Sequence, residues 1–330
     1  MRAIAINRFG ASDVLEIMSD FPDPAISGNQ VLIKVHSAGV NPLDWKIREG
    51  QLRFSLGSNF PMILGNDVSG TIVDIGSDVT NFRIGDEVFC LSDASPKRSL
   101  TGFAKSGAYA ELAVTREDTL SYKPNTVSHQ EAASIPLAAL TAYQTLQYKA
   151  RIKKGDKVLI NGASGGVGTF AVQIAKALEG KVTAVCGTSN QDLVASLGSD
   201  RVIDYRKQKI TELNEKYDVI YDVAAVTSFF RCKGLLTKTG IFISNLANPF
   251  NLLSTILFPA FRIFGFKKRY TFAWVKSSGD DLKNISQMID DAKIRGVIDK
   301  VYEMEEIREA HDYSQSGLVK GKIIINISKN

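Results

Sequence analysis

From Pro124 onwards, short apolar runs with the character of β-strands alternate with stretches of helical spacing. The strand-like runs include DKVLING, KVTAVCG and RVIDY, and the helical stretches between them are GGVGTFAVQIAKAL and NQDLVASLG. Consecutive strands that are each separated by one helix are typical of a parallel sheet with helices on both faces. The alternation therefore predicts an α/β fold built on a doubly wound parallel sheet.

The chain before Pro124 is rich in strand-like runs that are broken by Gly, Pro, Asn and Asp, among them QVLIKVHSAGV, SGTIVDIG and GAYAELAV. Such spacing predicts a partly closed antiparallel barrel. An amphipathic helix and the apolar strand KIIINIS end the sequence, and we expect this strand to rejoin the barrel. A length of 330 residues suggests about two domains. We place the β-rich domain at 1–123 and 277–330, and the α/β domain at 124–276.

The composition excludes several classes of protein. The net charge is +5, from 40 Lys and Arg against 35 Asp and Glu. The sequence lacks the stripe of basic residues interleaved with aromatic residues that is typical of nucleic-acid binding. The cysteines, Cys90, Cys186 and Cys232, lie far apart, which excludes a four-cysteine zinc site and favours free thiols. The first residues do not resemble a signal peptide, and no apolar run is long enough to span a membrane. We therefore expect a cytoplasmic protein.

The turn after the strand DKVLING is rich in small residues and leads directly into a helix. This pattern is a dinucleotide-binding fingerprint in which alanine takes the first glycine position. Glycine lets the backbone approach a pyrophosphate, and the helix N-terminus offers free amides and a favourable dipole. A tight turn without a ligand is the alternative, but the position between strand and helix favours a cofactor. The residues predicted to bind it are Ala163, Ser164, Gly165, Gly166, Val167 and Gly168.

The end of the second strand of the α/β domain predicts which cofactor is used. NAD-preferring sites carry an acidic residue there, whereas this chain has Thr188, Ser189 and Asn190, with no acid before Asp192. Small hydroxyl and amide groups do not repel a 2′-phosphate, so the sequence favours NADPH. Later in the sequence, three residues are candidates to close over the adenosine phosphate: Arg201, Tyr205 and Arg206.

Four segments carry a resemblance to a known family: AGVNPLDWKIREG, FPMILGNDVSGTIVDIGSDVTNFRIGDEV, NGASGGVGTFAVQIAKAL and LGSDRVIDY. With them, nearly the whole chain resembles the medium-chain dehydrogenase/reductase superfamily and, within it, the zinc-independent quinone oxidoreductase branch, which includes zeta-crystallin and the alkenal and enone oxidoreductases. The resemblance implies a GroES-like barrel, a Rossmann domain and a homodimer. It also implies that Thr141 lies beside the nicotinamide, although a hydroxyl bonded to its own helix is the alternative. Three further residues are placed near the cofactor: Asn245, Leu246 and Lys322.

The same resemblance bears on metal binding. Zinc alcohol dehydrogenases of the superfamily have Cys where this chain has Asn41, and His-Glu where it has Asn66 and Asp67. They also carry a four-cysteine loop, of which this chain keeps only Cys90. Asparagine is a poor zinc ligand compared with thiolate or imidazole. We therefore expect no metal, and we expect Asn66 and Asp67 to line or brace the cleft.

Without a Lewis acid, reduction of a quinone or of an alkene conjugated to a carbonyl is easier than reduction of a simple carbonyl, because hydrogen-bond donors can hold the delocalised charge. The candidate catalytic residues are Asn41, Asp44 and Lys46. Asn41 is the candidate donor, with a plain turn before Pro42 as the alternative. Asp44 could orient Lys46 or Arg48 or form only a local ion pair, and Lys46 could assist an enolate or be merely solvated.

The segment at 250–266 is unusually apolar and is followed by three basic residues, at 267–269. It could cover the substrate cleft, form an oligomer surface, or lie on a membrane through 250–269, and we favour a cover over the cleft. The sequence thus predicts a zinc-independent, NADPH-dependent oxidoreductase that acts on a small lipophilic quinone or α,β-unsaturated carbonyl compound. The alternative function is an NADPH-binding regulatory or membrane-associated protein with little turnover.

Overall fold

The computed structural model describes residues 1–94, 107–245 and 267–328. The chain forms two compact units. The first unit comprises Met1–Leu140, Lys276–Ala292 and Gly296–Asn330, and the second comprises Thr141–Val275 and Lys293–Arg295. Leu246 and the apolar segment at 250–266 lie outside the described residues, so the roles predicted for them have no structural counterpart below.

The strands of the described residues are β1 (Ala3–Ile6), β2 (Glu16–Met18), β3 (Gln30–Val40), β4 (Met62–Ile63), β5 (Asp67–Ile75), β6 (Glu87–Leu91), β7 (Leu112–Arg116), β8 (Leu120–Tyr122), β9 (Lys157–Asn161), β10 (Lys181–Cys186), β11 (Arg201–Asp204), β12 (Tyr217–Asp222), β13 (Leu236–Ser244), β14 (Arg269–Phe272), β15 (Ile298–Glu303) and β16 (Lys322–Asn326). The α-helices are α1 (Pro42–Arg48), α2 (Arg53–Leu56), α3 (His129–Ala133), α4 (Pro136–Gln144), α5 (Gly166–Ala177), α6 (Gln191–Ser196), α7 (Phe229–Cys232), α8 (Gly279–Asp290) and α9 (Ile307–Gln315). A π-helical segment, Thr145–Ala150, continues α4.

The first unit is built on two sheets. The larger has the order β15-β16-β3-β5-β6-β8, with β7 also paired to β3, and the smaller has the order β2-β1-β4. Strand β16 pairs antiparallel with β3, which confirms that the last apolar strand rejoins the β-rich part. Alternate residues of β3 are buried, among them Val31, Ile33 and Val35, as expected of a strand with one face on the core.

The second unit is built on one parallel sheet with the order β11-β10-β9-β12-β13-β14. The order reverses beside β9, and the turn that follows β9 is the glycine-rich one. In open α/β sheets, ligands bind at the carboxyl ends of the strands near such a reversal. One part of the core is formed by large apolar residues from the sheet and from α7, including Leu159, Ile220, Phe229, Phe242 and Tyr270.

The division between the units differs from the boundary predicted at 123/124, because the first unit runs on to Leu140. Helix α3 begins at a capping box, in which the Ser128 hydroxyl accepts from the Glu131 amide at 3.2 Å and the Glu131 carboxylate accepts from the Ser128 amide at 2.9 Å. This helix packs on β3 and β5 of the barrel. This packing places α3 in the first unit, although the helical spacing of its sequence predicted that it belongs to the α/β domain.

The stretch SHQEAASIPLAALTAYQTL, for which one helical run was expected, forms the two helices α3 and α4. The break falls at Ser134 and Ile135. Pro136 explains it, because proline disfavours helical geometry in the residue before it and has no amide to continue a helix. Proline is well suited to the first position of the next helix, where it stands here. Among the helices of the described ranges, none combines the length and apolar character needed to cross a membrane.

The contact between the glycine turn and α5 can be tested by substitution. A Cβ atom at Gly168 would lie 2.1 Å from the Gly162 carbonyl oxygen, which is backbone and cannot move aside cheaply. We expect Gly168→Ala to lower the free energy of unfolding by about 1–3 kcal/mol, measured by urea denaturation. Gly234→Ala is the matched control, because nothing lies within 4 Å of its added Cβ. Equal stability of the two variants would contradict the tight packing of the turn.

Candidate cofactor turn and buried polar centre

The glycine turn of the second unit joins β9 to α5. Gly162 has φ +87°, in the left-handed region that side chains rarely adopt, so glycine is needed there. Gly165 is the N-cap of α5 and makes no side-chain capping bond, which leaves the N-terminal amides of this 12-residue helix without a side-chain partner at the cap. The turn therefore presents backbone donors and the positive end of a helix dipole.

The space beside Gly165 is open, as the approach of a pyrophosphate to the backbone requires. A Cβ atom at Gly165 would meet nothing nearer than the Gly162 oxygen at 3.9 Å, so the backbone borders open space that a side chain would fill. The φ of Gly165 is −82°, which any residue adopts, so its glycine is not explained by backbone strain. A pyrophosphate that approaches the backbone closely accounts for it.

The end of β10 is tied to the neighbouring strand and to the turn. The Thr188 hydroxyl donates to Asp204 Oδ2 at 2.6 Å, and Asn190 Nδ2 donates to the Ser164 hydroxyl at 3.0 Å. The hydrogen bond from Thr188 is the main cause that lowers the pKa of Asp204. Asp204 lies beside Cys186 in the parallel register, so an acid reaches this corner from the third strand. The sequence pattern directs attention to the end of the second strand, so Asp204 was not among the predicted residues.

The residues predicted to close over the adenosine phosphate do not all behave alike. The Tyr205 ring is exposed and stands beside Gly187, where an added Cβ would lie 3.4 Å from Tyr205 Cε1. The Arg206 guanidinium lies 5.9 Å from the centroid of the Tyr205 ring. Arg201 instead forms an ion pair with Glu215 at 2.9 Å. Tyr205 and Arg206 are thus the pair available at this corner.

The ends of β9 and β12 form a second polar junction in this unit. Asn161 Nδ2 donates to Asp222 Oδ1 at 2.8 Å, and the Thr227 amide donates to Asp222 Oδ2 at 2.9 Å. Burial raises the pKa of Asp222. The Tyr221 hydroxyl donates to Asn245 Oδ1 at 2.7 Å, which holds the predicted cofactor residue Asn245 at the same edge of the sheet. Thr141, also predicted to contact the cofactor, is buried in α4.

The first unit holds a group of buried polar residues that we call the buried polar centre: Asn41, Asp44, Asn66, Asp67, Tyr109 and Lys322. Strand register brings its members together, because Gly39 of β3 pairs with Asp67 of β5, and Val40 pairs with Ile323 of β16. The residues next to these pairs, Asn41 and Lys322, therefore meet at one end of the sheet. Sequence separation of up to 281 residues hides this arrangement from local patterns.

Asp67 is the hub of the centre. Its Oδ2 accepts from Lys322 Nζ at 2.9 Å and from Asn41 Nδ2 at 2.9 Å, and its Oδ1 accepts from the Leu137 amide at 2.7 Å. Lys322 Nζ also donates to Asn41 Oδ1. The expectation that Asp67 braces this region matches these contacts. Lys322, assigned to the cofactor by resemblance, here serves an ion pair inside the first unit.

Asp44 is completely buried and receives three donors. Its Oδ2 accepts from the Asn41 amide at 2.7 Å and from the Tyr109 hydroxyl at 2.9 Å, and its Oδ1 accepts from Asn66 Nδ2 at 3.3 Å. Burial is the main cause that raises the pKa of Asp44 to about 7. Tyr109 was not among the predicted residues, since a tyrosine in a loop 65 residues away gives no local signal.

The expectation that Asp44 pairs with Lys46 or Arg48 is wrong in this structure. Lys46 Nζ stands 5.4 Å from the centroid of the Trp45 ring, outside the buried polar centre. Arg48 is buried and lies 3.3 Å from His311, measured from Nη1 to Nδ1. Burial, assisted by the charge of Arg48, lowers the pKa of His311 to about 3, so the histidine is a neutral acceptor. Lys46 lies two residues after Asp44 in α1 and therefore faces away from it. Arg48 lies one turn after Asp44, but its guanidinium is directed to His311 and Gln315.

The donor set of the centre does not fit a zinc ion. The carboxylate that could bind a metal, Asp67, is already bonded to an ammonium group, and a second cation there would be repelled. Cys90 lies close enough to Asp67 that burial and then this charge raise its thiol pKa, which disfavours a thiolate ligand. Within the described ranges, no group of three or more His, Cys, Asp or Glu residues could hold a metal.

The buried ion pair makes a prediction about stability. Replacing Lys322 with methionine leaves the Asp67 carboxylate buried without its cation, and we expect the free energy of unfolding to fall by about 3–5 kcal/mol. The double variant Asp67→Asn/Lys322→Met should recover most of that loss, because no charge is left unpaired. Arg8→Met is the control, since Arg8 and Asp13 form an exposed pair at 3.5 Å. Urea denaturation measures all three, and a loss in Lys322→Met no larger than in the control would contradict the pairing.

The pKa of Asp44 makes a prediction about pH. Since its pKa is raised to about 7 on folding, its contribution to stability is present below about pH 4 and is lost as the pH rises through about 7. We therefore expect the wild-type chain to lose stability relative to Asp44→Asn between about pH 4 and pH 8, by at most roughly 4 kcal/mol. Histidines titrate in both proteins and cancel in the difference. Denaturation curves whose separation is independent of pH would contradict the shift.

Comparison with known proteins gives a consistent result over the whole chain. The Alcohol dehydrogenase GroES-like domain family matches residues 27–125, and the Zinc-binding dehydrogenase family matches residues 197–325. The NAD(P)H oxidoreductase RTN4IP1, mitochondrial, of Homo sapiens is 33% identical over 99% of this chain and 89% of its own length. The 2-methylene-furan-3-one reductase of Solanum lycopersicum is 33% identical over 99% of this chain and 79% of its own length.

A solved structure extends the similarity to three dimensions. The quinone oxidoreductase from Coxiella burnetii superimposes with a TM-score of 0.88 and 30% identity, over 99% of each chain. The predicted α/β fold, with a Rossmann sheet and a GroES-like β-rich domain, is thereby confirmed. The protein is an oxidoreductase that uses a nicotinamide cofactor and acts on small molecules. It belongs to the zinc-independent quinone oxidoreductase-like branch of the medium-chain dehydrogenase/reductase superfamily.

Proposed function

We propose that this protein is an NADPH-dependent reductase of quinones or α,β-unsaturated carbonyl compounds that works without a metal. The observation that carries the proposal is the buried polar centre. The amides of Asn41 and Asn66 stand there at the positions of zinc ligands in the zinc alcohol dehydrogenases, and the Lys322 ammonium is bonded to Asn41 and to Asp67. Two of the relatives are named for reduction of a quinone and of 2-methylene-furan-3-one, in which an alkene is conjugated to a ketone. Both substrates place the new negative charge on an oxygen.

The reaction asks for a donor that meets this developing charge. When bound, the nicotinamide would supply a hydride to the electron-poor carbon of the substrate, and solvent or a nearby acid would supply the proton that completes the reduction. Asn41 is the residue proposed to donate a hydrogen bond to the substrate oxygen, and its amide is held in place by Asp67 and Lys322. A preorganised donor of this kind stabilises the transition state more than the ground state, because the oxygen gains charge as the reaction proceeds.

The preference for NADPH is proposed from the corner formed by the ends of β10 and β11. Thr188, Ser189 and Asn190 end the second strand without an acid, and Tyr205 and Arg206 are available beside them. The carboxylate of Asp204 works against a 2′-phosphate, but the nearby cations Lys207 and Arg206 offset part of its charge. Its Oδ2 accepts from the Thr188 hydroxyl at 2.6 Å, and its Oδ1 accepts from the Arg206 amide at 2.9 Å. The Thr188 hydroxyl, which is neutral, and the Arg206 guanidinium are then the groups proposed to meet the ribose.

The test measures the loss of NADPH absorbance with quinones and with short and long 2-alkenals. We expect turnover of at least one acceptor, and kcat/KM for NADPH above that for NADH. Gly165→Ala should fold like the wild-type chain, since its φ is ordinary, yet weaken NADPH binding roughly tenfold because its methyl group occupies the space at the turn.

Gly234→Ala is the matched control and should leave the affinity for NADPH unchanged. Saturable NADPH binding without turnover of any acceptor would contradict the reductase and favour a regulatory binding protein. Unchanged affinity in Gly165→Ala would contradict the assignment of the turn. A higher kcat/KM for NADH would overturn the proposed preference.

A further inference from the structure

We infer that Lys322 and Asp67 are positioning residues that orient and polarise the Asn41 amide, so that the charge of a lysine acts on the substrate through an asparagine. The inference rests on the proposed reduction and gives the centre's ion pair a role in it. Lys322 then helps to stabilise negative charge on the substrate oxygen, as a metal cation does in the zinc relatives. It acts through the Asn41 amide and does not contact the oxygen itself.

Only one orientation of the Asn41 side-chain amide is compatible with its hydrogen-bond partners. Its Oδ1 faces Lys322 Nζ, which can only donate, and its Nδ2 lies 2.9 Å from Asp67 Oδ2, which can only accept when ionised. Exchanging the oxygen and nitrogen of the amide would set donor against donor and acceptor against acceptor. The ion pair therefore fixes a side chain that would otherwise choose between two orientations.

The same contacts strengthen the amide as a donor. An ammonium bonded to the amide oxygen draws electron density from the nitrogen, and hydrogen bonds in such a chain polarise one another. Nδ2 has two hydrogens, and Asp67 accepts one of them. Among the described residues, no acceptor takes the second. That hydrogen is the one available to a substrate oxygen, although Asn41 is only 2% exposed.

The backbone of Asn41 is held as firmly as its side chain. Asp44 Oδ2 accepts from the Asn41 amide at 2.7 Å at the start of α1. Lys322 Nζ also lies 3.4 Å from the carbonyl oxygen of Val40, the residue before Asn41. Asp67 Oδ1 accepts from the Leu137 amide at the start of α4. Movement of Asn41 therefore requires several bonds of the centre to break together, as a preorganised donor requires.

The experiment compares the wild-type chain with the double variant Asp67→Asn/Lys322→Met, which removes both charges and leaves neither partner buried alone. The first readout needs no turnover: the proton–nitrogen resonances of the Asn41 side-chain amide, in protein labelled at asparagine and assigned with Asn41→Asp. The second readout is the rate constant of hydride transfer in a single turnover, with the acceptor KM and the NADPH Kd measured alongside.

The matched control is Asp93→Asn/Arg116→Met. It removes a buried ion pair of the same unit, 2.9 Å long, from residues that have no bond to Asn41 or Asp67 among the described contacts. We expect the double variant at the centre to shift the Asn41 amide protons to higher field. Its hydride-transfer rate should fall roughly 10- to 100-fold, as for other partners that orient a reacting group, with KM and Kd unchanged. The control should change none of these.

Two results would overturn the inference. One is an unchanged Asn41 resonance, which would show that the pair does not polarise the amide. The other is a shifted resonance with an unchanged hydride-transfer rate, which would show that polarisation has no use in the reaction. If the wild-type chain reduces no acceptor, the proposed function fails and the link to hydride transfer fails with it. The resonance shift still decides separately whether the ion pair of Asp67 and Lys322 polarises Asn41.

Discussion

The buried ion pair between Asp67 and Lys322 is the interaction on which the first unit's polar centre depends. Moving two charges out of water costs several kcal/mol for each ion, and the cost is offset only when geometry and further hydrogen bonds are good. Here the carboxylate also binds Asn41 and the Leu137 amide, and the ammonium also binds Asn41. The pair is thus surrounded by partners that satisfy its remaining donors and acceptors. The position of Asn41 follows from it.

This arrangement connects the chemistry of the branch to its loss of metal ligands. A zinc ion stabilises an alkoxide by direct contact, which an ammonium at one remove does less well. Reduction of a conjugated alkene or a quinone spreads its charge and asks for less stabilisation. An asparagine donor, polarised by Lys322, is suited to that smaller demand. Asn41 and Asn66, at the positions of a cysteine and a histidine in the zinc alcohol dehydrogenases, are therefore consistent with the proposed substrates as well as with the proposed metal-free reaction.

Much of this account could be predicted from the sequence, because the informative patterns are local. The glycine turn, its strand and its helix lie within 157–177, and the structure places them as expected. Asn41 and Asp67 were singled out from motifs, and both belong to the buried polar centre. Their partner Lys322 comes from a strand remote in sequence, and only the register of β16 and β3 brings it to Asn41. Tyr109, the partner of Asp44, lies in the loop before β7. No local pattern encodes that register.

Tertiary packing also decided two smaller points. The division between the units at Leu140 depends on the packing of α3 against the barrel, which periodicity does not show. Asp204 reaches the end of β10 from the third strand of the sheet because β10 and β11 pair in parallel, whereas the sequence pattern directs attention to the second strand.

We propose that a lysine, and not a metal, supplies the positive charge of the buried polar centre. The most direct test is to measure the zinc content of the purified protein by mass spectrometry and its reductase activity on the same sample, before and after dialysis against a chelator. We expect less than one zinc ion per chain in the purified protein, and we expect that dialysis does not change its reductase activity. One zinc per chain, with activity that is lost on dialysis and restored by zinc, would contradict it.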